Sequence, residues 1–247
     1  NEQSMKCEEV SALRERIQRA KRVMFFTGAG MSAASGVPTY RGKGGIWKEY
    51  DHQEYACQEA FERAPQRVWS FHEKRRALVA SCAPNPGHDA IAAFQKAASN
   101  QEVFVATQNI DGLHQRAGLS HNIVELHGSL WRVRVDTLDL VEENFDVPMR
   151  SYQHDSGAYW RPDITWFGDA LHEGRMEQAQ DWAEQSDVFV CVGTSGIVYP
   201  AAFVPLFAER AGAFMVEINP ESSDLSIHCH LCLRGSAAEV LPALLDV

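Results

Sequence analysis

A glycine-rich turn that directly follows an apolar strand constrains the fold of this chain more than any other feature. Residues 22–27 have the composition of a buried strand, and Gly28, Gly30 and Ala33 follow in the pattern Gly-x-Gly-x-x-Ala. The first glycine of such a pattern permits a tight turn, the second lets the backbone approach a pyrophosphate, and the small third residue allows a helix to pack closely on the strand. The N-terminus of that helix offers N–H groups to phosphate. The pattern is typical of a dinucleotide-binding turn.

The residues after this turn predict a mobile, arginine-bearing loop and not a second strand. Pro38 and Arg41 are followed by glycines at 42, 44 and 45. A nicotinamide-dependent dehydrogenase would instead carry an acidic residue on a second strand about 20 residues after the glycines. Glu49 and Asp51 have that spacing but lie in a glycine- and aromatic-rich segment. The dehydrogenase alternative is therefore disfavoured.

Composition excludes several other classes of protein. The chain has 247 residues and a formal net charge of −10, which argues against direct nucleic-acid binding. No apolar run approaches the roughly 20 residues that a membrane span needs, and no signal pattern opens the chain, so we expect a cytoplasmic protein without a membrane partner. The six scattered cysteines favour reduced thiols.

Short apolar strands alternate with helical stretches along most of the chain. This alternation predicts an α/β fold of the Rossmann type, with a parallel sheet covered by helices on both faces. The predicted strands are 22–27, 102–107, 123–127, 187–193 and 213–219, and the predicted helices are 8–21, 65–80, 173–185, 200–211, 236–245 and one beginning near residue 88.

The segment 131–161 breaks this alternation and is interpreted as a small inserted module. Trp131, Val133 and Val135 alternate with polar residues, as in a half-buried strand. We expect an NAD-binding domain built from residues 1–39, 85–130 and 162–247, and a small domain built from 40–84 and 131–161.

Polar motifs follow the predicted strands and should meet at the carboxyl edge of the sheet, where ligands bind in such folds. Alone, each is weak, because Asn109 and Asp111 also suit a turn and a lone histidine is more often structural. Together they supply phosphate donors, partners for ribose hydroxyls, and His127, a residue type that can titrate near neutral pH and so suits a general base. The motifs are the glycine turn, Gln108-Asn109-Ile110-Asp111, Glu125-Leu126-His127-Gly128, Gly193-Thr194-Ser195 and Asn219-Pro220-Glu221.

The order of these motifs resembles that of the sirtuins, a family of NAD-dependent protein-lysine deacylases. Gly-Ala-Gly-x-Ser-x-x-Ser-Gly-x-Pro, Thr-Gln-Asn-Ile-Asp, Leu-His-Gly-Ser and Gly-Thr-Ser occur in the family's order, and the resemblance covers roughly residues 10–245. It implies removal of acyl groups, such as acetyl, malonyl or succinyl, with release of nicotinamide and O-acyl-ADP-ribose. The partner would be an acylated-lysine protein or peptide.

The resemblance also implies roles for individual residues. His127 would accept a proton from a ribose hydroxyl, and Asn109 and Asp111 would complete the catalytic set. Trp166, Phe167 and Gly168 would pair with the substrate backbone as an added strand, and Tyr199 would also contact the substrate. The NAD site would comprise Gly28, Ala29, Gly30, Ser32, Tyr40, Arg41, Trp47, Gln108, Asn109, Ile110, Asp111, Gly193, Thr194, Ser195, Asn219, Glu221 and Ala237.

Further residues resemble the subgroup that removes malonyl and succinyl groups. Arg75 matches the arginine of that subgroup's Tyr-x-x-Arg motif, and a guanidinium can hold a carboxylate through two hydrogen bonds. His72 stands where the tyrosine would be, and a histidine can also donate to a carboxylate. A solvated basic helix face is the alternative interpretation of Arg75.

The chain departs from the sirtuin pattern at the structural zinc site. No cysteine lies between Cys82 and Cys191, so the two cysteine pairs of the small module are missing. Cys229 and Cys232 have pair spacing but lie in a segment, 228–233, that we predict to be a strand of the large domain. We therefore predict a zinc-free module, held together by Trp131, Val133, Val135, Phe145 and Tyr159.

Two functions on the same fold stay open besides the deacylase. An NAD glycohydrolase or a protein ADP-ribosyltransferase would use Asn109 and His127 as well. A non-enzymatic NAD-sensing module is a further alternative, which the intact set of Asn109, Asp111 and His127 disfavours.

Overall fold

The computed structural model describes residues 2–39 and 50–247, and it contains two sheets. The larger sheet is parallel, with six strands in the order β3-β2-β1-β7-β8-β9, and the smaller is antiparallel, in the order β5-β4-β6. The strands are β1 (Arg22–Thr27), β2 (Glu102–Thr107), β3 (Ile123–Glu125), β4 (Gly128–Val135), β5 (Leu140–Glu143), β6 (Arg161–Ile164), β7 (Val188–Val192), β8 (Phe214–Ile218) and β9 (Leu231–Leu233).

Ten α-helices lie in the described part of the chain. Two of the longer ones have capped N-termini, because the Asn85 side chain accepts from the Gly87 N–H and the Ser236 side chain from the Glu239 N–H. The helices are α1 (Glu2–Arg19), α2 (Ala29–Ser32), α3 (His52–Tyr55), α4 (Gln58–Arg63), α5 (Pro65–Ser81), α6 (Pro86–Ala97), α7 (Leu113–Arg116), α8 (Glu173–Gln185), α9 (Phe203–Arg210) and α10 (Ala237–Leu245).

Helices cover both faces of the parallel sheet, which confirms the predicted fold class. Val23 and Phe25 of β1 face one apolar core, to which α1, α6 and α10 contribute. Met24 and Phe26 of the same strand face a second core with α8 and α9. Because both faces are buried, β1 and β2 are continuous apolar runs and not alternating ones.

The antiparallel sheet packs against α4 and α5 around a core rich in tryptophan. Trp69 on α5 is fully buried, stacks on Tyr152, and donates its indole N–H to the Trp160 carbonyl at 2.7 Å. Trp166 and Ile164 complete this core with Met149 and Val133. The sheet spans residues 128–164, so it extends past both ends of the inserted module expected at 131–161. The division into two domains stays a prediction.

Two predictions, one for each sheet, need correction. Trp131, Val133 and Val135 are buried and Tyr159 is partly so, but Phe145 is 66% exposed and only stacks on the outer side of Trp131. The segment 228–233 is not one strand, because a 3-10 turn covers Ser226–His228 and β9 begins at Leu231. Cys232 therefore lies in the sheet, and Cys229 lies before it.

The described residues contain neither a membrane-spanning helix nor a cluster of metal ligands. No helix among residues 2–39 and 50–247 is long and apolar enough to cross a membrane. Within the same ranges, no group of three or more His, Cys, Asp or Glu side chains is arranged to hold a metal ion.

Candidate active site at the carboxyl edge of the parallel sheet

Two glycine turns pack backbone against backbone at the carboxyl edge. The Gly28 N–H donates to the Val192 carbonyl at 3.0 Å, and the Gly30 N–H donates to the Gly193 carbonyl at 2.8 Å. A Cβ atom placed on Gly30 would lie 2.7 Å from the Gly193 Cα. Both turns therefore need glycine for their contact with each other, and these two N–H groups are not available to a phosphate.

The prediction that Ala33 allows a helix to pack closely on β1 is wrong. The helix after the first turn, α2, ends at Ser32, and a 3-10 turn follows. Ala33 lies on the exposed side of that turn and does not pack against β1. Close packing occurs instead at Gly87 of α6, where a Cβ atom would lie 2.9 Å from the Ala237 carbonyl oxygen and 3.0 Å from the Met31 methyl carbon.

The segment after β2 places three polar side chains against the glycine turns. Asn109 donates from Nδ2 to the Gly28 carbonyl at 2.8 Å, and Gln108 donates from Nε2 to the Thr194 hydroxyl at 2.8 Å. Asp111 is buried and accepts from the Ser32 hydroxyl at 2.6 Å. Burial raises the pKa of Asp111, against the hydrogen bonds from Ser32 and the Leu113 N–H.

His127 lies between the two sheets, in the two-residue link from β3 to β4. Its Nδ1 is 2.9 Å from the Gln108 carbonyl, which can only accept. The hydrogen of the neutral ring is therefore on Nδ1, and Nε2 is the basic nitrogen. The Thr165 N–H donates to the His127 carbonyl at 2.8 Å, so β6 also fixes the backbone of this residue.

A chain of buried hydrogen bonds extends behind Ser32 and was not predicted from the sequence. The Asn85 N–H donates to His88 Nδ1 at 3.1 Å, so His88 Nε2 carries the hydrogen and faces the Ser32 hydroxyl at 3.2 Å. None of the sequence motifs singles out His88. Its position at the third residue of a helix that Asn85 caps was the available signal. Burial lowers the pKa of His88 to about 4.

His114, on α7 after the Asp111 motif, lies in a second buried group. Its Nε2 is 2.9 Å from the Thr27 hydroxyl, which donates to the Thr107 hydroxyl at 2.8 Å. Burial, with a smaller effect from the neighbouring His88, lowers the pKa of His114 to about 3. The imidazole is therefore neutral at physiological pH.

The predicted adenosine-side residues lie at the ends of β7 and β8. Asn219 donates from Nδ2 to the Thr194 carbonyl at 3.1 Å, while Ser195 and Glu221 are exposed. Ala237 is buried in the first turn of α10. Tyr40, Arg41 and Trp47, which were also assigned to this site, lie outside the described residues.

The segment 166–169 is a turn and not the extended strand expected for substrate pairing. The Asp169 N–H donates to the Trp166 carbonyl at 3.0 Å, and Gly168 has a φ of +87°. The Trp166 N–H donates to the Asp169 carboxylate and the Phe167 N–H to the Ala56 carbonyl. Two of the three expected N–H groups are therefore engaged within the protein. Gly168 is exposed at the apex of the turn.

His72 and Arg75 lie together on α5, beside this turn. His72 is 1% exposed, and its Nε2 lies 3.3 Å from the Trp166 indole nitrogen, which donates, and 3.2 Å from the Tyr55 carbonyl. Burial lowers the pKa of His72 to about 3. The Arg75 guanidinium carbon lies 5.6 Å from the centre of the Phe71 ring. Tyr199, by contrast, is exposed and meets the Phe203 ring edge to face.

The parallel sheet and the polar residues at its carboxyl edge place this chain among the Rossmann-like nucleotide-binding proteins. The chain belongs to the Sir2 family, whose profile matches residues 28–200. It is 45% identical over 233 residues to NAD-dependent protein deacylase 2 of Pyrobaculum aerophilum, covering 92% of this chain and 91% of that protein.

Solved structures agree with this assignment. A complex of a mutant Sir2 homologue with ADP-ribose matches with a TM-score of 0.88 and 36% identity, covering 95% of this chain and 94% of that one. A complex of a Sir2 homologue with NAD matches with a TM-score of 0.85 and 36% identity, covering 96% and 92%.

Proposed function

We infer that this chain is an NAD-dependent protein deacylase that acts on acylated lysine. The observation that carries this proposal is the orientation of His127 at the sheet edge. Its Nδ1–H is committed to the Gln108 carbonyl, so Nε2 is the nitrogen that can accept a proton. Family membership and the relatives named as deacylases support the same activity.

The residues at the edge fit NAD by their chemistry. The close contact of the two glycine turns leaves no room for side chains between them, so the backbone forms the floor of the proposed site. Asn109, Ser195 and Asn219 offer amide and hydroxyl groups of the kind that bind ribose and carboxamide. When bound, NAD supplies a ribose to which an acyl group can be transferred.

Hydrogen bonds within the protein hold the side chains of Asn109 and Asp111 in place at the proposed NAD site. The Asn109 amide is fixed on the Gly28 carbonyl, and the Asp111 carboxylate is fixed by Ser32. Because these side chains are already oriented before a ligand binds, little conformational entropy is lost at the reacting centre. His127 would remove a proton from a hydroxyl presented on its Nε2 side.

We further propose that an acyl group bearing a carboxylate, such as malonyl or succinyl, is accepted next to His72 and Arg75. His72 Nε2 lies closer to the Tyr55 carbonyl, which can only accept, than to the Trp166 indole nitrogen, so the ring hydrogen is on Nε2 and Nδ1 has none. Arg75 Nε is buried and has no hydrogen-bond partner among residues 2–39 and 50–247. A buried cationic donor without a partner favours an anionic acceptor.

The low pKa of His72 changes the role that the sequence suggested for it. A protonated imidazole would donate more strongly to a carboxylate, but burial keeps this ring neutral at physiological pH. Arg75 would therefore supply both the charge and the hydrogen bond to the acyl carboxylate, and His72 would line that site as a neutral side chain.

Mass spectrometry of acetyl-, malonyl- and succinyl-lysine peptides, incubated with and without NAD, tests both proposals. We expect deacylation only with NAD, together with O-acyl-ADP-ribose. His127→Ala should remove deacylation and leave the fold intact by circular dichroism. Cleavage of NAD with every peptide untouched would instead favour the glycohydrolase or ADP-ribosyltransferase.

Arg75→Gln tests the acyl preference, with Lys74→Gln as the matched control on the same helix. Lys74 is exposed and adjoins Arg75 in the chain. Losing a charge-assisted hydrogen bond of about 1.5–3 kcal/mol should lower kcat/KM for acidic acyl groups by about 10- to 100-fold and spare acetyl. An equal loss for all acyl groups would contradict the proposed contact.

A further inference from the structure

A cluster of buried charges joins the two sheets next to His127. We call it the Asp163 cluster; it comprises Asp163 on β6, Glu125 at the end of β3, Arg132 and Arg134 on β4, and Arg175 on α8. Asp163 Oδ2 accepts from Arg132 Nε at 3.0 Å and from an Arg175 terminal nitrogen at 3.1 Å, and Oδ1 accepts from Arg134 at 2.8 Å.

Arg132 connects this centre to the parallel sheet. Its Nη1 donates to the Glu125 carboxylate at 2.6 Å, while its Nε holds Asp163. A single guanidinium thus holds one carboxylate from each sheet, with side-chain exposures of 9% for Glu125 and 5% for Asp163. Low exposure reduces screening, so these ion pairs restrict geometry more than surface pairs do.

The pKa values of the two carboxyl groups follow from this arrangement. Burial acts to raise the pKa of Asp163, but the hydrogen bonds from Arg132 and Arg134 and the charge of Arg175 prevail and lower it. Burial raises the pKa of Glu125, which has fewer arginine partners to oppose it. Asp163 is thus the fixed anion at the centre of the cluster.

The chain on both sides of His127 is held against the antiparallel sheet. Glu125 lies two residues before His127. Gly128 follows His127 with a φ of +88°, and a Cβ atom placed there would lie 2.0 Å from the Asp163 carbonyl oxygen. The Thr165 N–H holds the His127 carbonyl. The link between the sheets is therefore clamped at residues 125, 127 and 128.

We propose that Asp163, acting through Arg132 and Glu125, is the positioning residue for His127. The cluster fixes the angle at which β3 passes into β4, and with it the approach of His127 Nε2 to the site. The proposal rests on the proposed role of His127 as proton acceptor. It assigns the cluster a function in one step of the reaction and not only in stability.

Two reaction readouts separate positioning from stability. In the deacylase reaction that the family resemblance implies, the acyl oxygen would displace nicotinamide from the ribose before His127 accepts a proton from a ribose hydroxyl. Exchange of labelled nicotinamide into NAD would therefore report on the step before His127 acts. Deacylation needs both steps. A displacement of about 1 Å can lower a rate by about 100-fold.

The experiment compares Asp163→Asn with Asp136→Asn in the full chain. Asp136 pairs with the same Arg134 at 2.9 Å, but its side chain is 64% exposed. We expect Asp163→Asn to lower deacylation by about 10- to 100-fold while nicotinamide exchange stays within about threefold. Asp163→Glu should recover part of the loss, and Asp136→Asn should change neither rate.

Nuclear magnetic resonance of ¹⁵N-labelled histidine gives a readout that does not need activity. If Asp163 positions His127, the His127 imidazole signals should shift in Asp163→Asn and stay unchanged in Asp136→Asn. If the wild-type protein shows no deacylation but the His127 signals still shift in Asp163→Asn, the positioning is supported and the proposed function is overturned. Unchanged signals, or equal losses of exchange and deacylation, would overturn the positioning.

Arg175→Gln provides a second variant if Asp163→Asn does not fold. It removes one donor that comes from outside the two sheets and leaves the Arg132 bridge in place. We expect the same selective loss of deacylation, at about three- to tenfold. If Arg175→Gln lowered nicotinamide exchange and deacylation equally, the positioning proposal would be overturned.

Discussion

The carboxyl edge of the parallel sheet and the antiparallel sheet beside it keep their shapes through different contacts. At the edge, the turns at Gly28–Gly30 and Gly193 touch through backbone atoms, with no side chain between them. In the antiparallel sheet, indole rings such as Trp69 and buried ion pairs at Asp163 provide the contacts. One region excludes side chains, and the other is built from them.

This difference implies opposite sensitivities to substitution. A region held by backbone contact should be destabilised by any added carbon atom, because nothing nearby can move aside cheaply. A region held by large side chains should be destabilised by their removal, because a cavity remains. The two regions meet at His127, so the site depends on both.

At the sheet edge, the largest effect is expected for Gly193→Ala. Gly193 has a φ of +61°, and an added Cβ atom would lie 2.5 Å from the Gly30 carbonyl carbon and from the Met31 nitrogen. Overpacking costs about 1–3 kcal/mol, and a left-handed residue with a Cβ costs about 1–2 kcal/mol more. We expect a loss of about 3 kcal/mol in the free energy of unfolding, measured by urea denaturation.

Gly157→Ala is the matched control for this substitution. Gly157 also has a positive φ, of +88°, but no atom lies within 4 Å of the Cβ position. It should show the cost of backbone strain alone, about 1–2 kcal/mol. Equal losses in the two variants would show that the contact of the glycine turns contributes nothing.

The pH dependence of stability tests whether each region contains a buried neutral histidine. The pKa values of His72, in the antiparallel region, and His114, below the sheet edge, are lowered to about 3. The ordinary pKa of about 6.5 applies in the unfolded chain, so folding is favoured above pH 6.5 and stability is lost as the pH falls towards 3. Between pH 7 and pH 5, each histidine should cost about 2 kcal/mol.

His72→Gln separates the two contributions. A glutamine side chain does not titrate in this range, so the loss between pH 7 and pH 5 should become smaller by about 2 kcal/mol. His121→Gln, at an exposed histidine, is the matched control for the substitution itself. A His72→Gln variant with the wild-type pH dependence would show that this imidazole is not kept neutral by burial.

The comparison also explains what the sequence could predict. Each strand–turn motif, at Gly28, Asn109, His127 and Gly193, is a short contiguous segment of the sequence. Because the parallel topology brings the strand ends together, the polar residues at the sheet edge could be predicted one by one. The antiparallel region depends on pairs such as Trp69 and Trp160, which are 91 residues apart and share no local pattern. No rule of spacing identifies such a pair.

Errors in the predictions arose where a local pattern did not determine burial. The 228–233 alternation suggested a strand, but only three residues pair with β8. The pairing of residues 166–168 with a substrate followed from the family resemblance and stays a prediction, although the Trp166 N–H donates to the Asp169 carboxylate within a turn. At 228–233, the 3-10 turn before β9 outweighed the periodicity.

The smallest effect is expected for Phe145→Ser. This substitution tests whether removing an exposed large side chain also destabilises the antiparallel region. Phe145 was expected to hold the antiparallel region, but it is 66% exposed and contacts Trp131 only as a stacked ring, with centroids 6.2 Å apart. Such a pair contributes about 0.5–1.5 kcal/mol, and exposure places this one at the lower end. We expect a loss below about 1 kcal/mol in urea denaturation, against about 3–5 kcal/mol for Trp69→Ala in the same assay. A loss from Phe145→Ser as large as that from Trp69→Ala would mean that the outer face of Trp131 is part of the core. The boundary of the region that is held together by buried side chains would then include Phe145.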